Sequence, residues 1–360
     1  MDFRIAVFAG DGIGPEVIEA CLVVLERLEA RVGKFRLVAE RVPGGAAHYL
    51  ETGTALPETS IRAAEAADAI LFGAMGMPDV RQADGTEIAP LLTLRRVFDL
   101  YAGVRPVKSY PNAPGPLADP RAQRIDLVVL RESTEGLFAS HGKGVVIDDQ
   151  EARDTMVITR RASERLFRFA FQLARKRRVK GLPGKVTCVD KSNVFRSMAF
   201  FRKVFDECAA QYPDVQAERA YVDATALNMV RRPWDLDVLV MENMFGDILS
   251  DLAGGIVGGM GMAPCAEVGD RHGLFQPAHG SAPDIAGKGI ANPIATLLSA
   301  AMMLEWLGER SGAPACRDAA AVLGEAIERA FVAGQIRPVE FGGQQTTALI
   351  AKAVIAEIDR

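Results

Sequence analysis

The sequence predicts an α/β protein with room for two packed domains. Short apolar or β-branched runs alternate with amphipathic stretches of helical length, proline marks the helix starts, and 360 residues suffice for more than one core. The strand-like runs are Ile5 to Ala9, Ala69 to Phe72, Leu127 to Leu130, Val186 to Val189 and Val238 to Met241. Helical patterns lie between them. Pro15 opens the run Glu16 to Arg31, and Leu56-Pro57-Glu58-Thr59 opens another; a first turn tolerates proline because the missing N–H has no helical partner there. From Pro106 to Pro120, five prolines in fifteen residues predict neither helix nor central strand but a surface crossover. Gly254-Gly255, Gly258-Gly259 and Gly261 predict a hinge or a return between domains. These marks suggest a central domain inserted into a first one.

Composition narrows the class. With 49% hydrophobic and 24% charged residues the chain is neither disordered nor fibrous. Its opening, Met1-Asp2-Phe3-Arg4 and a short apolar run to Ala9, lacks the features of a signal peptide. No apolar run approaches the roughly 18 to 20 residues that cross a bilayer. Cys21, Cys188, Cys208, Cys265 and Cys316 lie far apart without C-x-x-C spacing, so neither a disulfide framework nor a zinc site is expected. A cytoplasmic protein without a membrane partner is the expectation. A net charge of −4 gives no reason to expect nucleic acid. The one basic run, Arg175-Lys176-Arg177-Arg178-Val179-Lys180, follows Ala162, Leu166, Phe169 and Leu173 at helical spacing and reads as a helix C-terminus, where cations complement the macrodipole.

Several residues permit chemistry. Asp247 and Asp251 stand four apart, placing both carboxylates on one helical face, where a hard cation such as Mg²⁺ or Mn²⁺ can be gripped; a solvated face is the alternative. Met244, Phe245, Ile248, Leu249 and Leu252 around them suggest an apolar setting in which bare carboxylates would be costly. Asp223 follows a strand-like run, as a further ligand or an N-cap. Lys191 follows another strand, as a proton-transfer group or a surface partner of Asp190. Arg95, Arg105 and Arg131 stand where guanidinium forks could bind carboxylates, or where structural ion pairs form. Gly10-Asp11-Gly12-Ile13-Gly14-Pro15 follows the first strand, but its G-x-G-x-G spacing and Pro15 speak against a Rossmann fingerprint. The segment His279 to Pro293 is too polar and broken for a core element, and it offers backbone donors and one acid suited to a ribose diol.

Taken together, these motifs resemble the β-decarboxylating dehydrogenases that act on 3-isopropylmalate, isocitrate, homoisocitrate, tartrate and D-malate. The resemblance runs nearly end to end: Gly10 to Glu16, Leu94-Arg95, Arg105-Pro106, Arg131-Glu132, Asp190 to Asn193, Tyr221-Val222-Asp223, Gly246 to Asp251, and His279 to Pro293. It implies an isopropylmalate dehydrogenase-like two-domain fold with mixed sheets, not a Rossmann fold. The first, cofactor-side domain would comprise 1–100 plus 258–360, and the central domain 101–257 would carry the interface of a homodimer. His141 to Thr159 would form an arm interlocking the two chains. Active sites would be shared, with Lys191 and Asp223 from one subunit and Arg95, Arg105, Arg131, Asp247 and Asp251 from the other. Asp223, Asp247 and Asp251 would hold Mg²⁺ or Mn²⁺, Lys191 would accept the substrate hydroxyl proton, and Asp223 would also face substrate. The three arginines would fix its carboxylates. NAD would lie along His279, Gly280, Ser281, Ala282, Pro283, Asp284, Ile285, Ala286, Gly287, Ile290, Ala291 and Asn292, with Asp284 disfavouring a 2′-phosphate.

The resemblance also has a departure. The family usually places a proton-donating tyrosine seven residues after the equivalent of Arg131, where this chain has Phe138, which has no hydroxyl to give. Water, Ser140 or His141 could substitute; otherwise decarboxylation is slow or not needed. Leu91 and Leu92, one turn before Arg95, resemble the apolar wall that receives an isopropyl group and favour 3-isopropylmalate, hence leucine biosynthesis. Ile88, Ala89 and Pro90 depart from that pattern, and Arg131 to Gly136 is closer to the isocitrate and tartrate branches. A tartrate, D-malate or (homo)isocitrate dehydrogenase is thus the alternative. A non-catalytic regulatory paralogue is a rival reading, supported by Phe138 alone.

Overall fold

The computed structural model describes residues 1–83 and 85–360. It divides into two compact units, one of Met1–Asp99, Ser109–Pro116 and Val257–Arg360, the other of Leu100–Lys108 and Leu117–Ile256. The chain begins in the first unit with β1 (Asp2–Phe8), α1 (Gly14–Val32), β2 (Arg36–Arg41), α2 (Ala46–Thr52), α3 (Glu58–Ala66), β3 (Ala69–Phe72) and α4 (Pro90–Val97). It builds the second with β4 (Ala102–Lys108), β5 (Asp126–Glu132), the β6 and β7 hairpin (Val145–Ile147, Glu151–Arg153), α5 (Arg160–Val179), β8 (Lys185–Asp190), α6 (Arg196–Ala209), β9 (Gln216–Tyr221), α7 (Val222–Arg231), β10 (Val238–Met241) and α8 (Asn243–Ile256). It returns to the first with β11 (Pro264–Val268), β12 (Gly273–Pro277), α9 (Ile294–Arg310), α10 (Pro314–Val332) and α11 (Thr347–Ile358).

Both units carry mixed sheet, as the resemblance implies. In the first unit the strand order is β2-β1-β3-β12-β11, parallel except for the antiparallel β11–β12 pair. In the second it is β4-β5-β10-β8-β9, parallel except for β4–β5. The central strands β3 and β10 are buried along their whole length, which is why they read as unbroken apolar runs rather than alternating ones. Helix α5 seals one face with Leu166, Phe167, Ala170, Phe171 and Ala174, and Phe167 and Phe171 pack on Phe201 and Phe205 of α6.

Three sequence expectations change. Pro106 lies inside β4, opposite Val128 of β5, so the proline-rich crossover begins only after Lys108. Gly254 and Gly255 are helical, within α8, and the break falls at Gly258 and Gly259, whose φ angles of 128° and 120° glycine alone adopts readily. The strand read as Leu127 to Leu130 extends to Glu132, so Arg131 lies within β5 rather than after it.

The basic run ends α5, and Arg177 within it turns inward. Its guanidinium meets the buried Asp237 at 2.6 Å and the Asp126 carboxylate at 3.0 Å. No helix among the described residues is long and apolar enough to cross a membrane.

Candidate active site

In the second unit the site grows from the contact of α8 with β5. A Cβ on Gly246 would come within 2.6 Å of the Arg131 side chain, so glycine lets the helix lie directly over that arginine. Asn243, Asp247, Ser250 and Asp251 then recur at i, i+4, i+7 and i+8 as one polar stripe. Arg131 Nε donates to Asn243 Oδ1 at 2.8 Å, and its guanidinium pairs with Asp247. Arg105 of β4 donates to the Ser250 hydroxyl and lies 3.7 Å from Asp247 and 3.6 Å from Asp251. Both arginines are buried.

The two aspartates are not embedded as their apolar neighbours suggested: their side chains are 43% and 61% exposed. The buried face of α8 is formed by Gly246, Leu249, Ser250 and Ala253, and Ile248 also points outward. Partial burial holds the Asp251 carboxyl above its usual range; Arg105 opposes this and the Asp247 charge adds to it. A pair of carboxylates 43% and 61% exposed, offering oxygen donors on their open sides, fits a hard divalent cation that keeps positions for substrate.

Asp223 and Lys191 form a second cluster in the same unit. Asp223 lies in the first turn of α7, whose N-cap is Tyr221, so it is not the cap. Lys191 Nζ sits 2.8 Å from Asp223, a bond that lowers the Asp223 carboxyl. Lys191 does not pair with Asp190, because Asp190 is fully buried and clamped by both arms of Arg202, at 2.7 and 2.9 Å. Among the described residues of the chain no three His, Cys, Asp or Glu side chains gather as a metal site. Asp223 thus does not join Asp247 and Asp251 in a three-acid cradle within one chain.

Phe138 sits in a short 3-10 turn, Leu137–Ser140, with the Arg131 guanidinium 5.0 Å from its ring centroid. The Ser140 hydroxyl is committed to the Thr155 backbone, donating to its carbonyl at 2.8 Å and accepting its N–H at 2.7 Å. The loop between Arg131 and Phe138 is organised by the buried Glu132. Its carboxylate accepts the N–H of Thr134 at 2.9 Å and of Glu135 at 2.6 Å and the Thr134 hydroxyl, yet burial still pushes its carboxyl up to about 7. Glu242 is buried too; it accepts the N–H of Phe245 at 2.8 Å, and burial raises its carboxyl as well.

In the first unit α4 presents Leu91 and Leu92 half-buried and Arg95 fully buried, its guanidinium paired with Glu267 of β11. The 279–293 segment is a turn-rich loop tied to its surroundings. Ser281 accepts the N–H of Ile13 at 2.8 Å through its carbonyl, Ala291 donates to Glu16 at 2.9 Å, and Asn292 donates to Glu340 at 3.0 Å. Ala282 and Ile285 pack on Ile13, Val17 and Ala291. Pro283, Asp284 and Gly287 are left exposed, and burial lowers the His279 imidazole.

The glycine loop before α1 is sealed by backbone. A Cβ on Gly10 would strike the Ala74 carbonyl and one on Gly12 the Ser281 carbonyl, each at 2.0 Å. The buried Asp11 accepts N–H bonds from Ala46 (2.7 Å), Ala47 (2.9 Å) and Gly76 (2.9 Å). Asn243 and Ser250 escaped the sequence analysis although their helical period with Asp247 and Asp251 could have shown them. For Glu267, 172 residues from Arg95, no local signal exists.

A family model described as isocitrate/isopropylmalate dehydrogenase matches residues 4–355. The chain is 44% identical over 356 residues to a 3-isopropylmalate/3-methylmalate dehydrogenase of Methanocaldococcus jannaschii, covering 99% of this chain and 98% of that one. It is 39% identical over 358 residues to a homoisocitrate dehydrogenase of the same organism, covering 98% and 96%. Among solved structures, the isocitrate dehydrogenase from Methylococcus capsulatus matches with a TM-score of 0.85 at 34% identity, covering 99% of this chain and 100% of that one.

Proposed function

The chain belongs to the isocitrate/isopropylmalate dehydrogenase family, and we propose that it oxidises a (2R)-hydroxy acid with at least two carboxylates, 3-isopropylmalate in first place, using NAD and Mg²⁺ or Mn²⁺ and releasing CO₂. The observation that carries this reading is the α8 stripe: two partly open carboxylates, Asp247 and Asp251, facing two buried guanidinia, Arg105 and Arg131. When bound, the cation supplies Lewis-acid polarisation of the hydroxyl and its neighbouring carboxylate, and NAD supplies the hydride acceptor. Asp247 and Asp251 would hold that cation together with Asp223 of the partner subunit.

The chain's own groups then have distinct tasks. Arg105 and Arg131 would orient substrate carboxylates through paired N–H donors, the role that the family resemblance also gives to Arg95. Lys191 Nζ takes the C2 hydroxyl proton, and Asp223 at 2.8 Å holds that amine in place. Leu91 and Leu92 offer the apolar surface for an alkyl branch. After CO₂ leaves, carbon must receive a proton. Phe138 has none to give and the Ser140 hydroxyl is tied to Thr155, which leaves water or His141 as the donor. The loop from His279 to Asn292 would carry the adenosine of NAD, with the exposed Asp284 accepting from a ribose diol and repelling a 2′-phosphate. The β6–β7 hairpin, whose Val145, Val146 and Ile147 are exposed, would interlock with a second copy to give a homodimer with shared sites. The setting would be cytoplasmic leucine biosynthesis.

A second reading, a tartrate, D-malate or (homo)isocitrate dehydrogenase, is favoured by the Arg131 to Gly136 run. One spectrophotometric panel decides between them: purified protein, Mn²⁺ and NAD or NADP, against 3-isopropylmalate, isocitrate, homoisocitrate, D-malate and tartrate. NADH formation from 3-isopropylmalate that stops with EDTA and resumes with Mn²⁺ is the expected result. No NADH from any acid would leave the regulatory-paralogue reading standing, and equal rates with NADP would refute the role given to Asp284.

A further inference from the structure

We propose that the second unit binds a hydroxylated phosphate monoester, the chemistry of a sugar phosphate or a nucleoside monophosphate, in a cavity at the C-terminal end of α7. The cavity measures about 530 Å³ and is walled by Arg121, Asn228, Arg231, Arg232, Trp234 and Asp235. Small-molecule sites run from roughly 300 to 1,000 Å³. The sequence builds it in two steps. Asn228, Arg231 and Arg232 recur at i, i+3 and i+4 where α7 ends, which gathers them on one side. Pro233 then stops the helix and opens the short 3-10 segment Pro233–Asp235, and the Arg121 guanidinium covers the Trp234 ring at 4.4 Å from its centroid. The cavity is separate from the Lys191–Asp223 cluster, since Asp223 lies in the opposite, first turn of α7, roughly 12 Å from Arg231 at a rise of about 1.5 Å per residue.

The charges in the wall set the class of ligand. Arg121 is already answered by Asp119, at 2.7 Å. Arg232 engages only Nε, which donates to Asn228 Oδ1 at 3.1 Å, and the Arg231 guanidinium has no acid or other partner among the described residues. Exposed arginines elsewhere in this unit, Arg175, Arg178 and Arg219, each hold an acid. One cation suffices to complement the partial negative charge of a helix end, so the second guanidinium is surplus to that role. Two guanidinia without an acid match a phosphate monoester, which carries about −1.5 to −2 near pH 7 and offers three acceptor oxygens. Asp235 lines the same cavity, and its carboxylate makes no hydrogen bond or ion pair among the described residues. A carboxylate repels a second anion but accepts from hydroxyls, so the phosphate belongs at the arginines and a hydroxylated body beside Asp235. The Trp234 indole supplies apolar surface for that body, and its N–H has no acceptor among the described residues.

Trp234 and Trp306 are the two tryptophans of the chain, so in a Trp306→Phe background Trp234 is the sole indole and reports on the cavity directly. Its emission should change saturably on titration with ribose 5-phosphate or AMP at fixed ionic strength, half-saturating at or below about 1 mM. Inorganic phosphate should bind more weakly, and ribose should have no effect. Tighter binding of AMP assigns the site to nucleoside monophosphates, and tighter binding of ribose 5-phosphate to sugar phosphates. Replacing both Arg231→Gln and Arg232→Gln should weaken binding by about tenfold or more with circular dichroism unchanged, the scale of a lost charged hydrogen bond. Asp235→Asn should narrow the preference for the ester over inorganic phosphate. No change in emission up to about 20 mM ligand would overturn the proposal, including the case where a second copy of the chain covers the cavity. So would a signal that saturating NAD removes, equally tight binding of succinate, or a folded double variant that binds as before. If the double variant does not fold, the succinate comparison and Asp235→Asn decide, an unchanged ester preference in the latter counting against the site. The cavity and its test are independent of the dehydrogenase reading.

Discussion

Replacing Glu132 by glutamine should remove a pH-dependent loss of stability whose size the structure sets. The carboxyl is buried and lies at about 7 in the folded chain against an ordinary 4.5, because burial disfavours its anion more than the bonds from Thr134 and Glu135 favour it. Between these two values the folded state holds a proton that the unfolded state has released, so stability falls as pH rises through the window. Integrated from pH 5 to pH 8, the loss from this one group is about 2.5 kcal/mol. The assay is urea unfolding of wild type and Glu132→Gln at fixed protein concentration across that range, subtracting the variant so that other carboxyls cancel. The difference, wild type minus variant, should fall by that amount on going to pH 8. A difference constant to within about 1 kcal/mol would refute the raised carboxyl.

Three further outcomes follow from named contacts. Lys191→Met should lower kcat by about 10² to 10⁴ with the fold intact by circular dichroism, the usual scale for losing a proton-transfer group; a loss below tenfold would exclude Lys191 as the base. Phe138→Tyr, placing a hydroxyl on the ring beneath Arg131, should hold or raise CO₂ release per NADH formed, and a fall in kcat beyond tenfold would count against that position as a vacant proton-donor site. Arg177→Met leaves the fully buried Asp237 without its 2.6 Å partner and should cost about 3 to 5 kcal/mol in denaturant unfolding, whereas an exposed pair such as Arg62–Glu58 should cost under about 1 kcal/mol on the same substitution.

The sequence by itself determined whatever depends on short-range periodicity. Strands such as Val238–Met241 and the four-residue spacing of Asp247 and Asp251 were legible because a strand or a helical turn repeats within a few residues. The exposure of those aspartates was not, since it depends on which face of α8 covers β5, and Gly246 over Arg131 decides that across 115 residues of chain. The partners of the charged groups were equally out of reach: Asp11 with Gly76, Glu267 with Arg95, and Asp237 with Arg177 are joined only when distant strands and helices come together. Residue type says that a guanidinium will seek an anion. Only the tertiary structure says which one it finds, and whether both partners are buried, as at Arg95 and Glu267, or the acid stays partly exposed, as at Arg105 and Arg131 with Asp247.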